Sequence, residues 1–332
     1  MQKILIIQTA FIGDVVLSTA LIEKLHAHFP NAHIDFMVRK GNENLLANNP
    51  YINSVLVWNK KKSKYKNLFQ LLKTIRGNQY DKVINVQRYF ATGFLTAFSG
   101  AKEKIGFDSN PLSFLFTKKI KHELISSSSR HEVERNNDLI ASFTDNKISK
   151  PKLYPSQSDF NAIVKYSNSP YITVSPTSVW LTKQFPKEKW IAFINQVEEK
   201  YTIYLLGGPD NKKECEEIRL AVKNKNCNTL AGELNFLQSA ALMKSATMNF
   251  ANDSAPVHFA SAMNAPITAV FCSTIPAFGY GPLSDISFIV ETQKKLACRP
   301  CGSHGKKECP EKHFNCGNQI EINHLIGILN RN

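Results

Sequence analysis

Short apolar runs alternate with amphipathic stretches along nearly the whole chain, and this alternation limits the fold more than any other feature. Residues 3–8, 33–38, 54–58, 82–86 and 104–107 are apolar runs of strand length. Between them lie stretches with helical periodicity, such as Val16, Leu17, Ala20, Leu21 and Leu25 within 15–29, a basic stretch from residue 60, an apolar stretch at 90–98 and a last one at 131–143. After residues 145–170, which hold Pro151, Pro155 and Pro170 and little periodicity, the pattern resumes. Strands are expected at 171–175, 202–206, 247–250, 267–271 and 287–290, and helices at 187–200, 211–223, 234–244 and 322–329. Strand–helix alternation implies a parallel sheet covered by helices on both faces. The chain therefore reads as an α/β protein of two Rossmann-like domains, residues 1–155 and 156–332, joined by a proline-rich linker. In such folds ligands sit at the carboxyl ends of strands, where strand order switches. The turn after the first strand carries Gly13-Asp14 and lacks G-x-G-x-x-G, so it is not a standard dinucleotide site.

Composition narrows the function. The 332 residues are 43% hydrophobic and 20% charged, as in a soluble globular protein. No apolar run approaches the ~18–20 residues of a transmembrane helix, and the amino terminus does not read as a signal peptide. A cytoplasmic protein is expected. The net charge of +14 calls for a polyanionic partner: nucleic acid, an anionic membrane or a phosphorylated glycolipid. Seven basic residues and no acidic one lie between Lys60 and Arg76, interleaved with Tyr65, Leu68, Phe69, Leu71, Leu72 and Ile75. That pattern fits a basic amphipathic helix at a membrane, or a lysine-rich surface helix turning its apolar face inward.

The stretch 246–271 reads as strand, polar turn, small-residue helix and strand. Asn252, Asp253 and Ser254 are helix N-cap types, and Pro256 fits the first turn. Such a helix start offers free N–H groups and a positive dipole end to a phosphate, with His258 close by.

Four short segments resemble glycosyltransferase family 9, the ADP-heptose:lipopolysaccharide heptosyltransferases. They are Ile12-Gly13-Asp14-Val15 after the first strand; Lys183-Gln184-Phe185-Pro186 followed by Trp190; Asn252-Asp253-Ser254-Ala255-Pro256-Val257-His258; and His131-x-Val133-Glu134-Arg135. Two departures stand out: Phe185 replaces the usual Trp, and Ala255 the usual Gly. The resemblance implies a GT-B fold, with two Rossmann-like domains facing a central cleft. It implies an inverting transfer of heptose, or a related sugar, from a nucleotide-diphosphate-sugar, ADP-heptose in the first place, to an anionic lipopolysaccharide-core acceptor. No cofactor is needed for that chemistry. A base must take the acceptor proton and positive charge must meet the leaving diphosphate.

On that reading Asp14 is the base, though the same carboxylate suits a helix cap. Lys183 is the diphosphate clamp, against the alternative of a solvent lysine. Thr177, Asp253, Ser254, Ala255 and His258 line the phosphate and sugar end of the donor, with Asp253 capping the helix or meeting sugar hydroxyls. Asp210 or Glu214, beyond Gly207-Gly208, holds the ribose. Lys61, Lys62, Lys64, Arg88 and Arg135 meet the acceptor, and the enzyme works at the inner face of the cytoplasmic membrane, with peripheral contact to it.

Cys298-x2-Cys301-x7-Cys309-x6-Cys316 suits a structural tetrahedral zinc, with free thiols or labile disulfides as alternatives. Together with the charge it also suggests a rival, a zinc-containing nucleic-acid-binding protein. The cysteines and the lysine run lie at opposite ends of the sequence and no recognition motif is present, so no nucleic-acid partner is expected. A second rival is a GT-B transferase with another sugar donor.

Overall fold

The first apolar run, Lys3–Ile7 (β1), is buried at every position after the first, as a strand covered on both faces must be. The protein is represented here by a computed structural model, which describes residues 1–122 and 130–331. Two units divide at Tyr154 and Pro155.

In the first unit, β1 leads into α1 (Ile12–His28), then β2 (His33–Arg39), β3 (Ile52–Trp58), α2 (Lys64–Asn78), β4 (Lys82–Asn85), α3 (Phe90–Ala97), β5 (Glu103–Phe107), β6 (Lys118–Ile120) and α4 (Glu132–Asp138). The strands form one six-stranded sheet, in the order β3-β2-β1-β4-β5-β6. Every pairing is parallel; Ile6, for example, lies opposite Phe36 on one side and Ile84 on the other. Leu68, Leu71 and Ile75 of α2 pack with Leu5, Ile7, Met37, Trp58 and Val83 in the core. The apolar face of the basic helix is therefore turned inward, and the lysines at 61, 62, 64, 66 and 73 lie exposed.

The second unit runs α5 (Gln157–Ile163), β7 (Tyr171–Ser175), α6 (Lys187–Ile194), β8 (Thr202–Leu205), α7 (Lys212–Ala221), β9 (Cys227–Thr229), α8 (Phe236–Ser245), β10 (Met248–Asn252), α9 (Ala255–Met263), β11 (Ile267–Phe271), β12 (Ser287–Glu291), α10 (Asn315–Asn318) and α11 (Ile322–Leu329). Its sheet is again six-stranded and all parallel, in the order β12-β11-β10-β7-β8-β9. Numbered from its own first strand, each unit has the order third, second, first, fourth, fifth, sixth. This is the doubly wound order, with its switch point between β1 and β4 in one unit and between β7 and β10 in the other.

Three details differ from the sequence reading. The proline-rich stretch is not wholly linker: Ser156 accepts the Asp159 amide at 3.2 Å, the Asp159 carboxylate accepts the Ser156 amide at 2.8 Å, and this capping box starts α5. The short edge strands β6 and β9 carry too few apolar residues to show a period. The helix expected over 187–200 ends at Ile194, where Asn195 turns the chain. Among the described residues no helix is long and apolar enough to cross a membrane.

Candidate functional site

The switch point of the second unit gathers the residues singled out there. β10 ends at Asn252, a fully buried amide that fastens the loop leaving β7 at both ends. It donates to the Pro176 carbonyl at 2.7 Å and accepts the Phe185 amide at 2.8 Å. Phe185 is buried edge-on against Trp190, 5.1 Å between ring centroids. The Lys-x-Phe-Pro segment is thus an anchor: Phe185 goes into the core, and Lys183, two residues earlier, is fixed at the rim. Lys183 is neither a mobile charge nor a solvent lysine. Its Nζ lies 2.7 Å from Asp253 Oδ2, with the two side chains 16% and 6% exposed. Thr274, just beyond β11, donates to the same Asp253 oxygen at 2.5 Å.

Asp253 therefore does not cap α9. The N-cap is Ser254, whose hydroxyl donates back to the Asn252 carbonyl at 3.2 Å and makes no side-chain cap bond to the helix. Ala255 and Pro256 form the first turn, followed by buried His258, whose ring lies 6.4 Å edge-on from Tyr280. The arrangement sets a cation, a carboxylate and a helix amino terminus side by side, suited to an anion that can share or displace the lysine–aspartate pair. Thr177 is buried in the loop after β7. Asp210 is exposed beyond the end of β8, and Glu214 is half-buried on α7, where burial pushes its carboxyl up.

The cysteine-rich stretch lies against this same loop. Thr182 Oγ1 accepts the Lys306 amide at 2.7 Å, and the Thr182 amide donates to the Lys306 carbonyl at 3.1 Å. The Cys301 amide donates to the Ser273 carbonyl at 2.9 Å. Arg299 spans the end of β11, giving Nε to the Cys272 carbonyl at 2.7 Å and a terminal nitrogen to the Thr274 carbonyl at 2.7 Å and to Glu291 at 2.6 Å. Gly305 has φ +74°, and a Cβ there lies 2.8 Å from Lys183 Cγ. Residues 298–306 are thus a brace for Lys183 and Thr274.

The expected zinc site finds no support in the placement of these cysteines. Among the described residues no group of three or more His, Cys, Asp or Glu side chains is placed to hold a metal. Cys316 is instead buried in the hydrophobic core, which pushes its thiol up to about 11, with the other three cysteines of the cluster adding to the effect. Burial raises Cys301 as well.

In the first unit, Asp14 is the third residue of α1 and half-buried. One carboxylate oxygen accepts the Phe11 amide at 3.2 Å, as in a capping box. Two cations that the sequence did not single out for the acceptor stand by this turn. Lys60 donates to Thr9 at its carbonyl (2.8 Å) and hydroxyl (3.0 Å). Burial, with Arg39 and Lys64 nearby, lowers its pKa to about 8. Arg39 stacks 5.0 Å over Phe11 and is pulled down by burial, with the Asp14 charge acting against that shift. Across the switch point Gln87 donates to Gln8. Lys61 and Lys62 lie on the loop before α2, their amides held by Asn59 Oδ1, and Lys64 opens the helix. Arg88 is exposed.

Arg135 is placed differently from the other expected acceptor contacts. Its side chain is buried, with Nε 2.9 Å from Glu132 and a terminal nitrogen 2.6 Å from the Arg130 carbonyl. The His131–Arg135 segment is a helix start: His131 Nδ1 accepts the Val133 amide at 3.1 Å and Glu134 accepts the His131 amide at 3.1 Å.

Three comparisons bear on this geometry. The family model described as glycosyltransferase family 9 (heptosyltransferase) matches residues 68–314. Lipopolysaccharide heptosyltransferase 3 of Escherichia coli is 27% identical, over 80% of this chain and 82% of that protein. Among solved structures, the glycosyltransferase family 9 protein of Veillonella parvula superposes with a TM-score of 0.87 at 19% identity, covering 100% of this chain and 98% of that one. The E. coli ADP-heptose lps heptosyltransferase II gives 0.79 at 22% identity, covering 99% of both. The fold class read from the sequence, two Rossmann-like units of the GT-B type, agrees with these neighbours.

Proposed function

The chain belongs to glycosyltransferase family 9, the heptosyltransferases, and from that premise we propose that it moves heptose, or a related sugar, from ADP-heptose to a lipopolysaccharide-core acceptor with inversion. The second unit takes the nucleotide sugar and the first the acceptor. An acceptor hydroxyl attacks the anomeric carbon, the bond to the diphosphate breaks, and the hydroxyl proton passes to Asp14. The ADP left behind carries the displaced charge. Lys183 meets that charge, aided by the amino terminus of α9, while Asp253 holds the ammonium in place until the diphosphate arrives. Thr177, Ser254, Ala255 and His258 border the phosphate and sugar, and Asp210 or Glu214 holds the ribose. Lys61, Lys62, Lys64 and Arg88, joined by Lys60 and Arg39, draw in an anionic acceptor. That acceptor is a glycolipid, so the enzyme works at the cytoplasmic face of a membrane in peripheral contact with it. No cofactor is assigned to the chemistry.

The observation that carries this reading is the Lys183–Asp253–Thr274 constellation at a switch point, beside a helix start without a side-chain cap. The rival of a basic nucleic-acid-binding protein has no counterpart in the family match. The test is a thermal-shift panel of ADP, UDP and GDP, followed by transfer assays with the matching nucleotide sugars. At about 100 times its Kd a ligand stabilises by about 2.7 kcal/mol, and ADP is expected to do so selectively. Selective stabilisation by UDP or GDP moves the donor to another nucleotide. Stabilisation by none, with no transfer, ends the reading.

A further inference from the structure

Helices α2 and α3 bury one face each and leave aromatic side chains on the other. Phe90, Phe94 and Phe98 recur every four residues along α3 and so form one stripe. Phe94 lies tilted against Phe98, 5.0 Å between ring centroids, and meets Phe69 of α2 edge-on at 5.8 Å, which joins the stripe to α2, where Tyr65 lies one turn before Phe69. Tyr65 is 70% exposed, Phe69 60%, Phe90 61% and Phe98 45%. The core beneath is filled by Leu68, Leu71, Ile75 and Leu95, with Phe94 packed against it, so the exposed rings of Tyr65, Phe69, Phe90 and Phe98 are not needed to close it. Contiguous exposed aromatics on a soluble unit mark a contact surface.

The charge around the ridge says what kind. Residues 59–80 carry seven lysines and arginines and no acid, and residues 88–102 carry Arg88 and Lys102 and no acid. A second copy of this face would oppose positive charge with positive charge. An anionic bilayer offers phosphates to the ammoniums and an interfacial layer in which aromatic rings are favoured. We propose that the Tyr65–Phe69 and Phe90–Phe94–Phe98 ridge, ringed by Lys61, Lys62, Lys64 and Lys66, is the surface by which the protein docks on an anionic phospholipid membrane. It rests on the reading of a lipid-borne acceptor and names the part of the enzyme that meets the lipid. The rings enter the headgroup boundary, and the lysines lie along the phosphates with their stems over the rings.

The test is co-sedimentation with vesicles of phosphatidylglycerol and phosphatidylethanolamine, against vesicles of phosphatidylcholine alone. The protein is expected to partition onto the former. Lys61→Gln/Lys62→Gln/Lys64→Gln removes the salt-sensitive part of binding. Tyr65→Ala/Phe69→Ala lowers partitioning by about tenfold even at raised salt, where charge is screened, with turnover of a water-soluble acceptor fragment unchanged. In Phe69→Trp the emission in excess of that of the wild type's three tryptophans moves to shorter wavelength on anionic vesicles, which reports burial at the ridge and does not depend on the double variant folding. Equal partitioning of the aromatic variant, no spectral shift, or no vesicle binding by the wild type overturns the proposal. So does ridge-dependent self-association in place of lipid binding. Ridge-dependent vesicle binding with no transfer from any nucleotide sugar supports the docking surface and sinks the transferase mechanism instead.

Discussion

Asp14 has two tasks for one carboxylate, and they are separable. Asp14→Asn keeps an oxygen for the Phe11 amide and gives up mainly the charge near the α1 dipole, a loss of about 0.5 kcal/mol. Transfer is expected to fall at least ~10²-fold with the melting temperature nearly unchanged; equal losses of stability and rate mark a purely structural cap. Lys183 behaves differently, because its partner is buried. Lys183→Ala leaves Asp253 with Thr274 as its hydrogen-bond donor and is expected to lower stability by about 1–3 kcal/mol as well as donor affinity. Lys183→Ala/Asp253→Asn then regains the melting temperature but not ADP binding; recovery of both removes Lys183 from the donor site. Lys60 titrates about pH 8, below the ordinary 10.5. Its charge fades as pH rises through 8, so KM for an anionic acceptor rises across that window while ADP affinity holds. The folded pKa lies below the unfolded one, so the cost of burying this charge is present below pH 8 and disappears on the way to 10.5. Lys60→Arg is expected to flatten the KM profile; an unchanged profile assigns the pH dependence to another group. Asp14 and Lys183 were legible as candidates because each lies in a short motif. The Asp253–Lys183 pair was not, because it joins loops seventy residues apart, and a single sequence offers Asp253 only the role its immediate neighbours suggest.

At the scale of elements, the buried strands and long helices were legible because their periods are strong, whereas β6, β9 and α5 were not. The three residues of β6 and of β9 are too few to show an alternation, and α5 is announced by a Ser–Asp capping box hidden among prolines. The segment 298–306 was noticed for its cysteines, and its place in the fold was not legible. Cysteine spacing drew attention to metal, while the bonds that define its place come from Arg299, Gly305 and a backbone amide. Arg299→Ala frees the carbonyls of Cys272 and Thr274 and is expected to weaken ADP binding about tenfold, or about 1.4 kcal/mol, with partial rescue in Arg299→Lys. A variant that melts earlier yet binds ADP normally limits the brace to stability. A chelator is expected to leave the melting curve unchanged; a drop of several degrees shows that the thiols gather a metal after all.

For the molecule as a whole, the repeated strand order could be anticipated only as two α/β halves, because strand order depends on which crossovers pack and not on any one segment. The net charge of +14 and its concentration at residues 60–76 could be counted, but the pairing of Lys183 with Asp253 could not be foreseen. Most of the lysines on the loop and helix after β3 face solvent, whereas Lys183 is matched by Asp253. A chain so basic attracts phosphate, nucleotides and nucleic acid wherever it is. At the proposed donor site, however, the ammonium of Lys183 already has a neighbour of opposite sign, and any visitor must compete with it. Singly charged and weakly held anions lose that contest, while a diphosphate, bringing several oxygens and the reach to engage the α9 terminus at the same time, can win it. On the proposed reading, the paired lysine is a filter that admits the donor and turns lesser anions away.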